Sequence, residues 1–249
     1  MQDSQTTVGA IVAEDFRAAA VFQRHGIDFC CGGHKPVAEA CRESGIDPAA
    51  LQAELAAVLG PSDPAVPRFN TWELDLLAGY IVSNHHAYVR QAIGTLRLHT
   101  RKVAEVHGEH HPEVIAIADR FENVAQDLTR HMMKEENVLF PYINALVAAS
   151  RGASMPVAPF GEVANPIRMM EIEHQAAGDE MAAIRQLSGN YTTPADACTT
   201  FKVTYQELQA FEADLHQHVH LENNILFPKS LALERRLKGF ADAPVSVRG

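Results

Sequence analysis

From Leu74 onward, apolar residues return every three or four positions and outline four long helices. In the first, Leu74, Ala78, Ile81, Tyr88 and Ala92 share one stripe, with Thr71 as the expected cap and an end near Val106. A turn at 108–112 leads to a second stripe of Val114, Ile117, Phe121, Val124, Leu128 and Val138. A Gly-, Ser- and Pro-rich loop over 150–166 separates it from a third, made of Ile167, Met170, Ala177, Met181 and Ile184. After a break at 189–194, Phe201, Thr204, Leu208, Phe211, Leu215 and Ile225 form the fourth. Four amphipathic helices with three connections predict an all-α protein built on an antiparallel four-helix bundle.

Upstream the periodic stretches are shorter. Helices are expected over 13–25, 37–43 and 48–59, with Pro36 and Pro48 suited to helix starts. Gly32, Gly33 and Gly45 mark the breaks between them. Three prolines and a glycine within 60–67 make a stiff linker. The expected organisation is a small helical domain over 1–60, a linker over 61–70, the bundle over 71–235 and a tail over 236–249. A region of about 60 residues has little core of its own, so it is expected to fold back on the bundle or to pair with a second copy in a homodimer.

The polar interruptions of the stripes carry the chemistry. The second stripe continues through His131 and Glu135, and the fourth through His218 and Glu222. His85 fills the slot between Ile81 and Tyr88, and His174 the slot between Met170 and Ala177. Six ionisable groups on core-facing positions are costly unless something pairs with them. The i, i+4 spacing puts each His and Glu on one helical face, one turn apart. The surroundings repeat too: the segment from His131 to Pro141 returns at an offset of 87 as that from His218 to Pro228. The single histidines are 89 apart. Two helix pairs of one pattern imply a pseudo-two-fold axis through a shared site.

A lone histidine on an apolar face is usually a satisfied core residue; duplicated pairs are not explained that way. Four imidazoles and two carboxylates favour iron, manganese or zinc over calcium or magnesium. Six ligands exceed one tetrahedral zinc and suit two metals, each with two histidines and both glutamates bridging. A solvent-derived oxo or hydroxo bridge would still leave a position open on each metal. His86, His99, His107, His110, His111, His216 and His220 fall off the stripes and are expected to be solvated. A register error of one residue would exchange His86 with His85.

Charge and composition narrow the function. Against 21 Lys+Arg stand 31 Asp+Glu, a net charge of −10, which leaves no basic excess to neutralise phosphates and argues against nucleic acid. No uncharged apolar run of about 18 residues is present, so no membrane partner is expected. The start of the chain has neither a basic flank nor an apolar core of a leader, which predicts a cytoplasmic location. Of the four cysteines, Cys41 and Cys198 read as plain helix residues. Cys30 and Cys31 precede a glycine pair and a helix start, where a thiol pKa can fall, so they read as a redox, metal-relay or cluster-docking pair.

The repeated His-x-x-x-Glu-x-Asn-x-Leu-Phe-Pro segment, in its helical pattern, resembles the hemerythrin-like di-iron fold. Asp28-Phe29-Cys30-Cys31-Gly32-Gly33 resembles the cysteine motif of the small domain ahead of that fold in the Repair of Iron Centres family of bacterial cluster-repair proteins. The resemblance implies two non-haem iron ions on His85, His131, Glu135, His174, His218 and Glu222, and a functional pair at Cys30 and Cys31. It implies iron supply to damaged iron–sulfur proteins under oxidative or nitrosative stress. The alternatives are nitric oxide reduction at the di-iron site, or a non-catalytic sensor or store for oxygen or nitric oxide. Oxygen-carrying hemerythrins supply a fifth histidine that has no counterpart on these stripes, which counts against reversible oxygen carriage.

Overall fold

The computed structural model describes residues 6–60 and 66–240. The proline-rich stretch 61–65 and the tail beyond 240 lie outside the described residues. The described residues are helical, with no strand beyond one isolated bridge between Thr7 and Pro36. The chain divides into two compact units. One takes in the described residues up to 78, 142–164 and those from 217 onward; the other takes in 79–141 and 165–216. The divisions fall inside helices.

The first unit begins with four short helices, α1 (Val8–Glu14), α2 (Ala18–Arg24), α3 (Val37–Ser44) and α4 (Pro48–Val58). The single helix expected over 13–25 is instead two, because Asp15 turns back. Its carboxylate accepts the backbone N–H of Arg17 at 3.0 Å and pairs with the same residue's guanidinium. Thr7 caps α1 through Ala10 N–H, and Asp47 caps α4 through Ala49 N–H with Pro48 at the first position. Gly45, at φ +67°, ends α3 in the left-handed conformation. Phe22, Val21, Val8, Leu51 and Cys41 are fully buried at the centre of this small domain.

Thr71 does not cap the first bundle helix. It closes a 3₁₀ turn, Phe69–Thr71, with its hydroxyl on the Arg68 carbonyl, and α5 (Leu74–Tyr80) starts three residues later. A π turn, Ile81–His86, joins α5 to α6 (Ala87–His107). The next helix, α7 (Glu113–Lys134), passes through a second π turn, Glu135–Leu139, into α8 (Phe140–Ser150). Then come α9 (Ala164–Leu187) and α10 (Thr199–Leu221), the latter continuing through a third π turn, Glu222–Leu226, into α11 (Phe227–Leu237).

In the second unit, cross-helix ion pairs fix the order around the bundle. Arg97 pairs with Glu122, Arg120 with Glu180, Arg185 with Glu212, and His99 with Glu207. Those contacts link α6 to α7, α7 to α9, α9 to α10 and α10 back to α6. This is the antiparallel bundle expected from the periodicity. Apart from Arg185–Glu212, whose carboxylate is buried, these partly exposed pairs specify neighbours more than they stabilise; burial of Phe121, Phe201, Phe211, Leu208 and Met181 supplies the stability.

The π turns shift the register. A π turn closes hydrogen bonds over five residues rather than four, so it inserts one residue into the helix. Beyond Ile81 both His85 and His86 are buried, and from there Val89, Ile93, Leu96, Thr100 and Val103 run one residue later than the stripe through Tyr88 and Ala92. The second π turn does the same: Leu139 is buried, whereas the expected Val138 is 43% exposed. The third helix, with no π turn, keeps Ile167, Met170, His174, Ala177, Met181 and Ile184 buried as the spacing predicts.

Candidate metal centre

His131 occupies the last turn of α7 and Glu135 opens the π turn that follows. The imidazole Nε2 of His131 lies 3.3 Å from Glu135 Oε2, and His86 Nε2 approaches the same oxygen at 3.3 Å. His174, midway along α9, places its Nε2 3.0 Å from Nε2 of His131. On α10, His218 Nε2 is 3.2 Å from Glu222 Oε1. These side chains are at most 2% exposed, and both glutamates are fully buried. They form two buried groups, His86, His131, Glu135 and His174 converging in the second unit and His218 with Glu222 in the first, and all six are candidate metal ligands. Imidazoles beside carboxylates are a donor set for iron, manganese or zinc.

The outer nitrogens of His86 and His131 are held by carboxylates, which fix ring orientation and leave Nε2 to face a metal. His131 Nδ1 is 3.0 Å from Glu173 Oε2, and Lys134 pairs with the other oxygen of Glu173. Those partners lower the Glu173 pKa to about 2, the His131 hydrogen bond contributing most. His86 Nδ1 is 2.6 Å from Glu136 Oε1, which Arg90 also engages. Burial raises the Glu136 pKa, but the contacts to His86 and Arg90 outweigh it and hold the carboxyl below its usual value.

His85 is buried as well, but its Nδ1 contacts Asp214 Oδ1 at 2.9 Å and neither group contains it. The one-residue insertion at Ile81–His86 puts His86 in the slot that the spacing had given to His85. His86 is thus not solvated, and neither is His220. The His220 ring is buried beside Phe16 and Phe29, with Asn224 at 3.2 Å from its Nδ1, and burial brings its pKa down to about 4.

Cys30 and Cys31 stand in a turn ahead of Gly32–His34, their sulfurs 3.9 Å apart. Asp28 organises the turn: Oδ1 accepts the N–H groups of Cys30 and Cys31 at 2.9 and 3.0 Å, and Oδ2 accepts that of Gly32 at 2.9 Å. The Cys30 thiol does not have the lowered pKa that its place before a helix suggests. Its contact with Cys31, burial and the nearby Asp28 carboxylate all favour the protonated form and raise the pKa well above the usual value. Asn224, in the third π turn, donates from Nδ2 to the carbonyls of Phe29 and Cys30 at 3.2 and 3.0 Å. Asp28 and Asn224 carry no signal in a periodicity reading, since neither lies on an apolar stripe.

A helical bundle with a buried His–Glu donor set defines a cation-binding protein of the hemerythrin class, and the sequence comparisons agree. Residues 78–230 match the hemerythrin HHE cation binding domain, and residues 4–59 match the ScdA_N domain, described as a domain of unknown function (DUF542). The chain is 35% identical to the iron–sulfur cluster repair protein YtfE of Yersinia pestis (strain Pestoides F), over 90% of this chain and 96% of that one. It is 34% identical, with the same coverage, to the YtfE protein of Yersinia pseudotuberculosis serotype O:1b (strain IP 31758). The chain belongs to this family of hemerythrin-like iron–sulfur cluster repair proteins. Among the described residues, no helix is long and apolar enough to cross a membrane.

Proposed function

We propose that the two buried groups together hold two iron ions, with Glu135 and Glu222 shared between the ions, and that this iron is what the protein supplies to damaged iron–sulfur clusters. The observation that carries the reading is that each buried group brings a His–Glu pair of the same i, i+4 spacing, at 3.3 Å for His131 with Glu135 and 3.2 Å for His218 with Glu222. The donors fit: imidazole and carboxylate suit ferrous and ferric iron alike. When bound, the iron pair supplies positive charge that offsets the cost of burying two carboxylates. His86 and His218 serve one ion, His131 and His174 the other. Glu136 and Glu173 hold the outer nitrogens of His86 and His131, so those rings are set before metal arrives.

The function follows from family membership: damaged iron–sulfur proteins are the targets, and Cys30 and Cys31 form a relay pair. The bundle contributes a dry enclosure, since the donors have almost no solvent contact.

The test is metal analysis with optical spectroscopy. Protein loaded anaerobically with ferrous iron is expected to hold about two irons per chain and, after exposure to air, to show the charge-transfer absorption of a bridged ferric pair. One tightly held zinc, or well under two irons in fully loaded protein, overturns the reading. Transfer is then measured by incubating the loaded protein with a cluster-depleted aconitase-type enzyme and following recovery of its activity.

A further inference from the structure

Outside the bundle, the densest set of ligating side chains is the turn that carries the cysteine pair. Asp28, Cys30 and Cys31 each offer one ligand atom, all within 4.8 Å of one another. Cys30 Sγ is 3.1 Å from Asp28 Oδ1 and 3.9 Å from Cys31 Sγ. We propose that Asp28, Cys30 and Cys31 form a second, open site for a thiophilic divalent cation of the ferrous or zinc type, separate from the buried His–Glu donors.

The donor set decides the class of ion. Two thiolates and one carboxylate favour zinc or ferrous iron over calcium and magnesium, which take all-oxygen shells. Three protein donors leave the fourth tetrahedral position to water or to an incoming ligand, as in sites that exchange what they bind. On binding, two S–metal bonds and one O–metal bond form, the two thiol protons leave to solvent, and no electrons move. Deprotonation makes uptake more favourable as pH rises.

The site is shaped without a metal. Three backbone N–H groups hold the Asp28 carboxylate, and Asn224 holds the carbonyls of Phe29 and Cys30. The fit at Gly33 is close: a Cβ there would stand 2.4 Å from Asn224 Oδ1. Access is graded, with Cys30 buried, Cys31 half-buried and Asp28 exposed. One side of the turn is therefore lined by protein and the other open to solvent, so an ion can be handed over there. That transfer role rests on the iron-supply reading; the existence of the site does not.

Cobalt(II) is the probe, because only thiolate ligands give its intense near-ultraviolet charge-transfer band. Titration of the full, reduced, metal-free chain is expected to produce that band and to saturate it at about one thiolate-bound ion per chain, beyond the ions that the buried His–Glu donors take up. Cys31→Ser and Cys30→Ser abolish the band, and Cys41→Ser and Cys198→Ser leave it intact. Asp28→Asn weakens binding about tenfold or more. Because Cys30 is buried, the half-exposed Cys31 is the decisive variant, checked for folding by circular dichroism. Absence of the band in the wild-type chain, or its survival in the Cys30→Ser/Cys31→Ser double variant, overturns the proposal. Failure of the di-iron reading looks different: low iron content in the wild type with the cobalt band unchanged. Glu135→Ala, which removes a shared carboxylate, is expected to keep the band.

Discussion

The side-chain amide of Asn224 donates to the backbone carbonyl of Cys30 at 3.0 Å, across 194 positions of sequence. Asn224 lies two residues beyond Glu222, in the same π turn. One short segment thus carries a carboxylate of the candidate metal centre and fixes the turn that bears the cysteines. Removing the amide strips partly buried carbonyls of their donor. Asn224→Ala is expected to cost about 1–3 kcal/mol of stability, read by urea denaturation, and to speed alkylation of Cys31. A variant as stable as the wild type with unchanged alkylation would show that the amide does not hold the turn.

The shared carboxylates lead to an asymmetry between variants. In the proposed centre Glu135 and Glu222 serve both ions, whereas each histidine serves one. Glu135→Ala or Glu222→Ala is expected to reduce iron content to well under one per chain. His174→Ala is expected to spare the ion held by His86 and His218 and to leave about one. Equal losses in all three variants would contradict the shared arrangement.

Adjacent histidines can be separated by the same assay. His86 stands 3.3 Å from Glu135, while His85 is committed to Asp214. His86→Gln is expected to lower iron content, and His85→Gln to preserve most of it. The reverse outcome would place His85 in the ligand set and His86 outside it.

At the far end of the bundle, Asp196 lies 3.1 Å from His111 Nε2, and Glu113 is close to Nδ1. The Asp196 hydrogen bond is the larger cause of a raised His111 pKa, above its ordinary value of 6.5. A raised folded-state pKa means the pair stabilises the fold fully below the unfolded value and loses that contribution as pH rises through the folded one. An NMR titration of the His111 ring is expected to show a midpoint above 6.5, and Asp196→Asn to lower it. An unchanged midpoint in the variant would rule out Asp196 as the cause.

The raised pKa of Cys30 gives a kinetic prediction. Its thiol stays protonated through neutral pH, because Cys31, burial and Asp28 all oppose the thiolate. Iodoacetamide labelling followed by peptide mass mapping is expected to modify Cys30 more slowly than exposed Cys198 at pH 8. Faster labelling of Cys30 would refute the assignment.

The bundle and five members of the two groups are legible in the sequence because straight α-helical spacing carries through from Val114 to Glu135, Ile167 to Ile184 and Phe201 to Glu222. Legibility ends where a π turn adds a residue, and so His85 rather than His86 reads as the inward group. Nothing in periodicity marks that extra residue. The repeated Asn illustrates a different limit. Asn137 and Asn224 occupy equivalent places in the two repeats, yet Asn137 bonds back to the Met133 carbonyl on its own helix while Asn224 reaches the cysteine turn. The repeated motif fixes the residue but not its partner, which for Asn224 comes from a segment 194 positions away. The split near Asp15 was hidden for a similar reason, since the carboxylate–Arg17 contact that breaks the helix is a matter of side-chain geometry.

The π turns also set a rule for anyone who would transplant the centre. One residue of an α-helix turns through about 100°, so each insertion rotates everything after it by roughly that much. Grafting the six donors onto ideal helices at their native sequence spacing would aim His86 away from its partners and leave Val138, not Leu139, facing inward. A faithful graft must copy the extra residue along with the ligands. Deleting a single residue from Ile81–His86 in the natural chain would be a larger lesion than replacing the histidine itself.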